Sequence, residues 1–210
     1  MDQLIVLAFQ LIVLLFSVMI HEISHGAVAL MLGDTTAKDA DRLTLNPVKH
    51  IDLFGSIILP ILLFITSHGS FVIGWAKPVP YNPARLKNPK LGAGLIGLAG
   101  PLSNFFIAVV FGLLLRVLSI SLGTPLGAMF IYIISINILL AAFNLLPIPP
   151  LDGSSVLFAF LPDRFRQVQY FLTKYGLIIL VLLILVGGFD AILGNIVSFV
   201  YRLIVGQNLF

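Results

Sequence analysis

The fold class this sequence predicts is an all-α polytopic membrane protein: a bundle of five to six transmembrane or re-entrant helical segments with a short strand or loop region on the cytoplasmic side. Three observations carry that reading. Of 210 residues, 59% are hydrophobic and only 10% charged, at a mean hydropathy of +1.10, whereas a soluble domain is roughly 25% charged. The apolar residues come in runs of about twenty or more, enough to cross a ~30 Å hydrocarbon core as helix; an outer-membrane barrel would show ~10-residue alternating segments instead. The basic residues gather in the short loops between those runs.

The first run extends from Leu4 to about Leu32, where Gly33-Asp34 supplies a stop. At ~1.5 Å per residue it is about 43 Å long, so its last turns project into the interface. Residues 33 to 52 are polar and mixed, and read as a loop with room for a short strand pair. The run from Leu53 to Ile73 contains Pro60 and is followed by Gly74-Trp75-Ala76-Lys77-Pro78-Val79-Pro80, a stretch of turn and extended-chain residues. A third run covers about Leu91 to Ile120. A fourth covers about Leu126 to Leu146 and ends in Pro147-Ile148-Pro149-Pro150-Leu151-Asp152-Gly153. After a partly polar stretch holding Asp163, Arg164 and Arg166, a fifth occupies roughly Tyr175 to Val186, and the tail from Asp190 to Leu203 is either a sixth span or an interfacial helix.

Ten of the twelve Lys and Arg residues fall in three segments, 33 to 52, 74 to 90 and 160 to 174. If all three share one side, that side is cytoplasmic. This requires the Leu53 to Ile73 run to enter and leave on one face, as a re-entrant element; a full crossing would set seven basic residues against three. The net charge of +3 therefore orients the protein in its membrane, and nucleic acid is not expected as a partner. With no cysteine the chain has no disulfide, thiolate ligand or thiolate nucleophile.

Near the end of the first run stands Met19-Ile20-His21-Glu22-Ile23-Ser24-His25-Gly26. Ionisable groups at membrane depth cost at least ~2.5 kcal/mol each, so three within five positions call for a common partner, and a divalent metal is one. On a helix His21 and His25 are about 40° apart in azimuth and one turn apart in height, so both imidazoles reach one tetrahedral ion. Glu22 on the shoulder of that face is placed to deprotonate water without being a ligand. A catalytic zinc takes three protein ligands, and candidates for the third are Asp152, Asp190, His50 and His68. Asp152 stands out because Pro147, Pro149 and Pro150 break the helix before it and Gly153 leaves room for close approach. A helix N-cap is the competing role for Asp152.

The His-Glu-x-x-His helix, Gly100-Pro101-Leu102-Ser103-Asn104 in the third run, and Asn144 to Gly153 closing the fourth together resemble the site-2 protease family of intramembrane zinc metalloproteases. The segments Leu43-Thr44-Leu45-Asn46-Pro47 and 74 to 80 resemble its compact bacterial or archaeal branch. The resemblance covers about residues 17 to 153. It implies one Zn2+ per chain, held by His21, His25 and Asp152; Glu22 as catalytic base; and Asn144 as a polar contact for the substrate backbone or the developing oxyanion. It also implies a transmembrane-helix protein substrate, contact with membrane lipid, and a multi-pass location in the cytoplasmic membrane of a prokaryote.

The whole of 1–210 is expected to be one domain, with a catalytic core about 4–153 and C-terminal helices about 170–207. Asn104 is expected in interhelical hydrogen bonding, His50 and His68 at the surface or interface, and Asp190 at a helix break. Position 154 is Ser where relatives often continue with a second Gly. Two other classes compete. A metal transporter would need successive sites along a path, where this chain offers one cluster; an inert chaperone of the same fold would usually lack Glu22 or a ligand.

Overall fold

The computed structural model describes residues 3–58, 62, 65–66 and 76–206, with the backbone alone for residue 57 and residues 188–191. Helix α1 is Gln3–Met31, α2 Thr36–Asp39, α3 Pro89–Val117, α4 Pro125–Asn144, α5 Asp152–Phe160, α6 Arg166–Leu185 and α7 Gly188–Val205. Four segments are long and apolar enough to cross a membrane: α1, α3, α4 and Asp163–Leu185, which contains α6. Large apolar side chains such as Leu4, Leu11, Phe106, Val117, Leu182 and Leu185 are exposed along these helices. In a bilayer they meet lipid, and the protein is an integral membrane protein.

The starts of the helices follow local chemistry. Asn88 and Thr124 stand outside α3 and α4 and accept hydrogen bonds from Leu91 N–H and Gly127 N–H, each followed by a proline at the first helical position, which has no N–H to leave unsatisfied. Gly33 ends α1 at φ 101°, a left-handed conformation that costs glycine little.

Since lipid is as apolar as leucine, helix association rests on close packing and buried polar bonds. Both occur at the α1–α3 contact. Ser17, His21, His25 and Ala29 recur every four residues on the buried face of α1, one above the other. They meet a face of α3 made of Gly97, Gly100, Pro101, Asn104 and Ala108. A second core joins α3, α4 and α7 through Ala108, Leu115, Ile134, Ile138, Val197, Tyr201 and Val205. The last three are four residues apart, so α7 lays one stripe into the bundle, where the sequence left a span and an interfacial helix open.

The structure departs from expectation in several places. No strand occurs among the described residues, so the strand pair considered for 33 to 52 is replaced by α2 and a 3-10 turn at Pro47–Lys49, capped by Asn46. The fifth run begins earlier, with α6 starting at Arg166, because Arg166, Gln167, Gln169 and Lys174 are good helix formers that extend it past its apolar part. The break after α4 is followed by the separate helix α5. Gly187, at φ 71°, makes the break before α7, whose first turn contains Asp190. His68, Pro60, Trp75 and most of the proposed re-entrant run lie outside the described residues.

His50, expected at the surface, is only 2% exposed. Its Nε2 bonds the Thr44 carbonyl at 2.8 Å, and its own carbonyl accepts from Lys77 N–H at 2.9 Å. Folding the loop back onto 76–80 buries it.

Asp34 secures the same region from the other end. It is fully buried and accepts from Thr36 N–H, the Thr36 hydroxyl and Asn82 N–H, with Arg85 at 3.8 Å. Burial alone would raise its carboxyl; the hydrogen bonds, then the Arg85 charge, outweigh that and hold it below the usual 3.8. A carboxyl lowered by folding adds stability that is complete above its unfolded value and vanishes as pH falls through its folded one. Asp34→Asn is therefore expected to melt below wild type in detergent at pH 7, with the gap narrowing below about pH 4.

Candidate metal centre

The structure brings His21, His25 and Asp152 together across 131 residues of sequence. Asp152 Oδ2 lies 2.9 Å from His21 Nε2 and 3.3 Å from His25 Nε2, and the two imidazoles stand edge to face, 4.7 Å between centroids. These form a group of metal-ligating type. The N-cap of α5 is Leu151, so Asp152 occupies the first turn with its carboxylate turned to the imidazoles.

The far side of each ring fixes which nitrogen carries the proton. His25 Nδ1 is 2.6 Å from the Ile96 carbonyl, which only accepts. His21 Nδ1 is 2.6 Å from Asn104 Oδ1. Asn104 Nδ2 meanwhile donates to Asn137 Oδ1 at 2.8 Å and Ser17 O at 3.3 Å, and Asn137 Nδ2 donates to Ser17 Oγ at 2.9 Å and Ile133 O. Both Nδ1 atoms are thus donors, and in neutral rings both Nε2 lone pairs face a carboxylate oxygen. Three electron-rich atoms converge there, an arrangement that repels unless a cation sits among them. This donor set suits zinc.

Space for an ion is provided by α3. A Cβ at Gly100 would stand 2.5 Å from both Nε2 atoms. One turn earlier, a Cβ at Gly97 would stand 2.9 Å from the Asp152 carbonyl, and one at Gly94 would strike the Ala159 methyl. Missing side chains on α3 therefore seat α5 and keep the imidazole tips clear. Gly153 lies so close to the Leu145 and Leu146 carbonyls that any side chain would collide with them, so the chain doubles back tightly between α4 and Asp152.

Glu22 is the residue after His21, and its Oε2 accepts from Val79 N–H at 2.9 Å. Asn144 closes α4 with its Nδ2 donating to the Leu140 carbonyl at 2.9 Å. Tyr81 is half-buried, and its hydroxyl is pushed above its ordinary value first by burial and then by the charge of Asp152. Asn104 does more than the interhelical bonding expected of it, since it also orients His21. Asn137 and Ser17 were not singled out from sequence; the only available signal is that Ser17 lies four residues before His21, on the same face. Removing a partner of this kind typically weakens metal binding by 10–100-fold. Asn104→Ala should show a loss of about that size when zinc is titrated in a metal buffer, with the helices intact.

A helical membrane bundle that gathers two imidazoles and a carboxylate, with a second acid next to one imidazole in sequence, is a membrane metallohydrolase by class. The comparisons narrow this. A family model described as "Peptidase family M50" matches residues 119–185. A Bacillus subtilis protein named "Putative zinc metalloprotease YwhC" is 38% identical over 183 residues, covering 83% of this chain and 79% of its own. "Putative zinc metalloprotease Rip2" of Mycolicibacterium smegmatis is 29% identical, over 81% of this chain and 64% of its own, and "Zinc metalloprotease MJ0392" of Methanocaldococcus jannaschii 27%, over 80% and 39%. No solved structure matches significantly. The chain belongs to peptidase family M50, the site-2 proteases: it is a membrane zinc metalloendopeptidase.

Proposed function

We propose that this protein hydrolyses peptide bonds within transmembrane segments of other membrane proteins, as in regulated intramembrane proteolysis or the clearance of signal-peptide remnants. In this reading His21, His25 and Asp152 hold one zinc ion, Glu22 is the catalytic base and Asn144 contacts the substrate. The observation that carries it is the convergence of His21 Nε2, His25 Nε2 and Asp152 Oδ2 beneath Gly100, with Glu22 alongside. Residues 1–210 act as a single domain, in the cytoplasmic membrane of a prokaryote, with the basic loops facing the cytoplasm.

Zinc, when bound, supplies a Lewis acid that makes water acidic near pH 7 and polarises a peptide carbonyl. The chain supplies the rest. Glu22 takes the proton from the attacking water and returns it to the leaving amine. The Nδ1 bonds to Asn104 and Ile96 hold both imidazoles in the tautomer and orientation that expose Nε2. Asn144, at the open end of α4, offers its amide to the substrate backbone or the developing oxyanion. The substrate helix must open locally, because its scissile carbonyls are otherwise tied in internal hydrogen bonds. Lipid surrounds both partners, and water enters from the cytoplasmic side. The test compares fragments in membranes carrying wild type with those carrying Glu22→Gln. Fragments ending inside transmembrane segments should appear only with wild type, and identical fragment sets would overturn the reading.

A further inference from the structure

We propose that residues 76–82 form a strap that positions Glu22, and that Arg42 is the residue that sets it; this rests on Glu22 acting as the base. The strap is pinned along its inner edge. Lys77 N–H donates to the His50 carbonyl at 2.9 Å, Val79 N–H to Glu22 Oε2 at 2.9 Å, and Asn82 N–H to Asp34 Oδ2 at 2.6 Å. Positions 78 and 80 are prolines and have no N–H to give.

Arg42 is 6% exposed, and among the described residues no carboxylate lies within ion-pair distance of it. Its Nε is buried with no hydrogen-bond partner there. A buried guanidinium without a counter-charge is costly, and this one directs its Nη2 to the Lys77 carbonyl at 2.5 Å. That carbonyl belongs to the peptide group just before Pro78. The N–H that reaches Glu22 belongs to the peptide group just after it. Pro78 has its φ locked by the ring, so gripping the first peptide leaves one free torsion to place the second.

Two further contacts make the strap specific to this spot on α1. The side chains of Val79 and of Leu43, the residue after Arg42, both come down where Gly26 has none: a Cβ there would stand 2.8 and 2.7 Å from them. Gly26 follows His25, so the strap and the loop dock one turn from Glu22. Glutamate has three side-chain torsions, and Val79 N–H gives the single hydrogen bond to its carboxylate among the described residues. Without it the acid must find its working position anew in each turnover. Arg42 is thus a positioning residue, acting on Glu22 through Lys77, Pro78 and Val79.

The test uses the full chain in proteoliposomes with a single-span substrate. Arg42→Ala should lower kcat by ~10- to 100-fold, the range for a displaced catalytic group. KM should stay within about twofold and zinc per chain should not change. Arg42→Lys should restore most of the loss, because one ammonium donor suffices for one carbonyl. Val79→Pro keeps an extended chain and deletes the donor, so it should reproduce the kcat loss. Deuterium exchange over 76–80 reads only Ala76, Lys77 and Val79, and should quicken in Arg42→Ala and in Glu22→Ala. Wild-type kcat in Val79→Pro, or unchanged exchange in Glu22→Ala, overturns the proposal even if Arg42→Ala fails to fold. Activity retained by Glu22→Gln would instead remove the underlying reading of Glu22.

Discussion

Gly100→Ala is expected to abolish zinc binding, although it adds one methyl group to a helix. A Cβ there would stand 2.5 Å from both imidazole Nε2 atoms and 2.6 Å from His21 Cε1, closer than non-bonded atoms approach. Neither ring is free to swing aside: His21 is tethered through Nδ1 to Asn104 and His25 to the Ile96 carbonyl, each at 2.6 Å. Helix α3 cannot retreat cheaply either, because Gly97 and Gly94 seat it against α5, which carries Asp152. The methyl would therefore occupy the space beside the imidazole atoms proposed to hold the metal. A loss of more than ~100-fold in zinc affinity is expected, beyond what removal of a supporting hydrogen bond does, with proteolysis lost in parallel. Metal analysis of the purified variant measures it. Leu102→Ala, on the exposed side of the same helix, should keep its zinc. Full zinc content in Gly100→Ala would mean that the imidazoles do not hold the ion from beneath α3.

Glu22→Gln is expected to separate zinc binding from chemistry. The amide is nearly isosteric with the carboxylate, and its oxygen still accepts from Val79 N–H, so the fold and the ligand cluster persist. What disappears is a group able to take a proton from water and deliver it to the leaving amine. Such a role is worth ~10²- to 10⁴-fold in kcat. Single-turnover cleavage of a single-span substrate should slow by that factor while zinc per chain stays at the wild-type level. A transporter or a binding partner on the same fold would be indifferent to the change.

The sequence made the class of protein and the first half of the site legible because both are short-range properties. Run length and composition decide that helices cross a membrane. Helical periodicity alone decides that His21 and His25 share a face with Glu22 on its shoulder. The caps that start α3 and α4, Asn88-Pro89 and Thr124-Pro125, also act within one turn, although the apolar runs alone placed those starts only to within a few residues. Four of the apolar runs became α1, α3, α4 and the C-terminal part of α6 within a few residues. The polar loops were less legible: a strand pair and a 3-10 turn satisfy the same backbone groups, and His50 gave no sign in sequence that the chain would fold over it.

What the amino-acid order determined by itself was a membrane-embedded helix bundle with a pair of imidazoles and an acid on one helical face. The residues around Asp152 alone left it between a ligand and a helix cap, and a family resemblance pointed to the ligand role; the tertiary structure brings its carboxylate beside the pair, across 131 residues. It also decided the surroundings that give the pair a function. Asn104, Asn137 and Ser17 orient His21 from three helices, Gly100 clears the space before the ring nitrogens, and Arg42 reaches Glu22 only through a folded strap. The physical reason is one of range. Propensity, capping and periodicity act over a few residues, whereas a hydrogen-bond tether or an absent methyl matters only once distant helices have packed to within van der Waals contact.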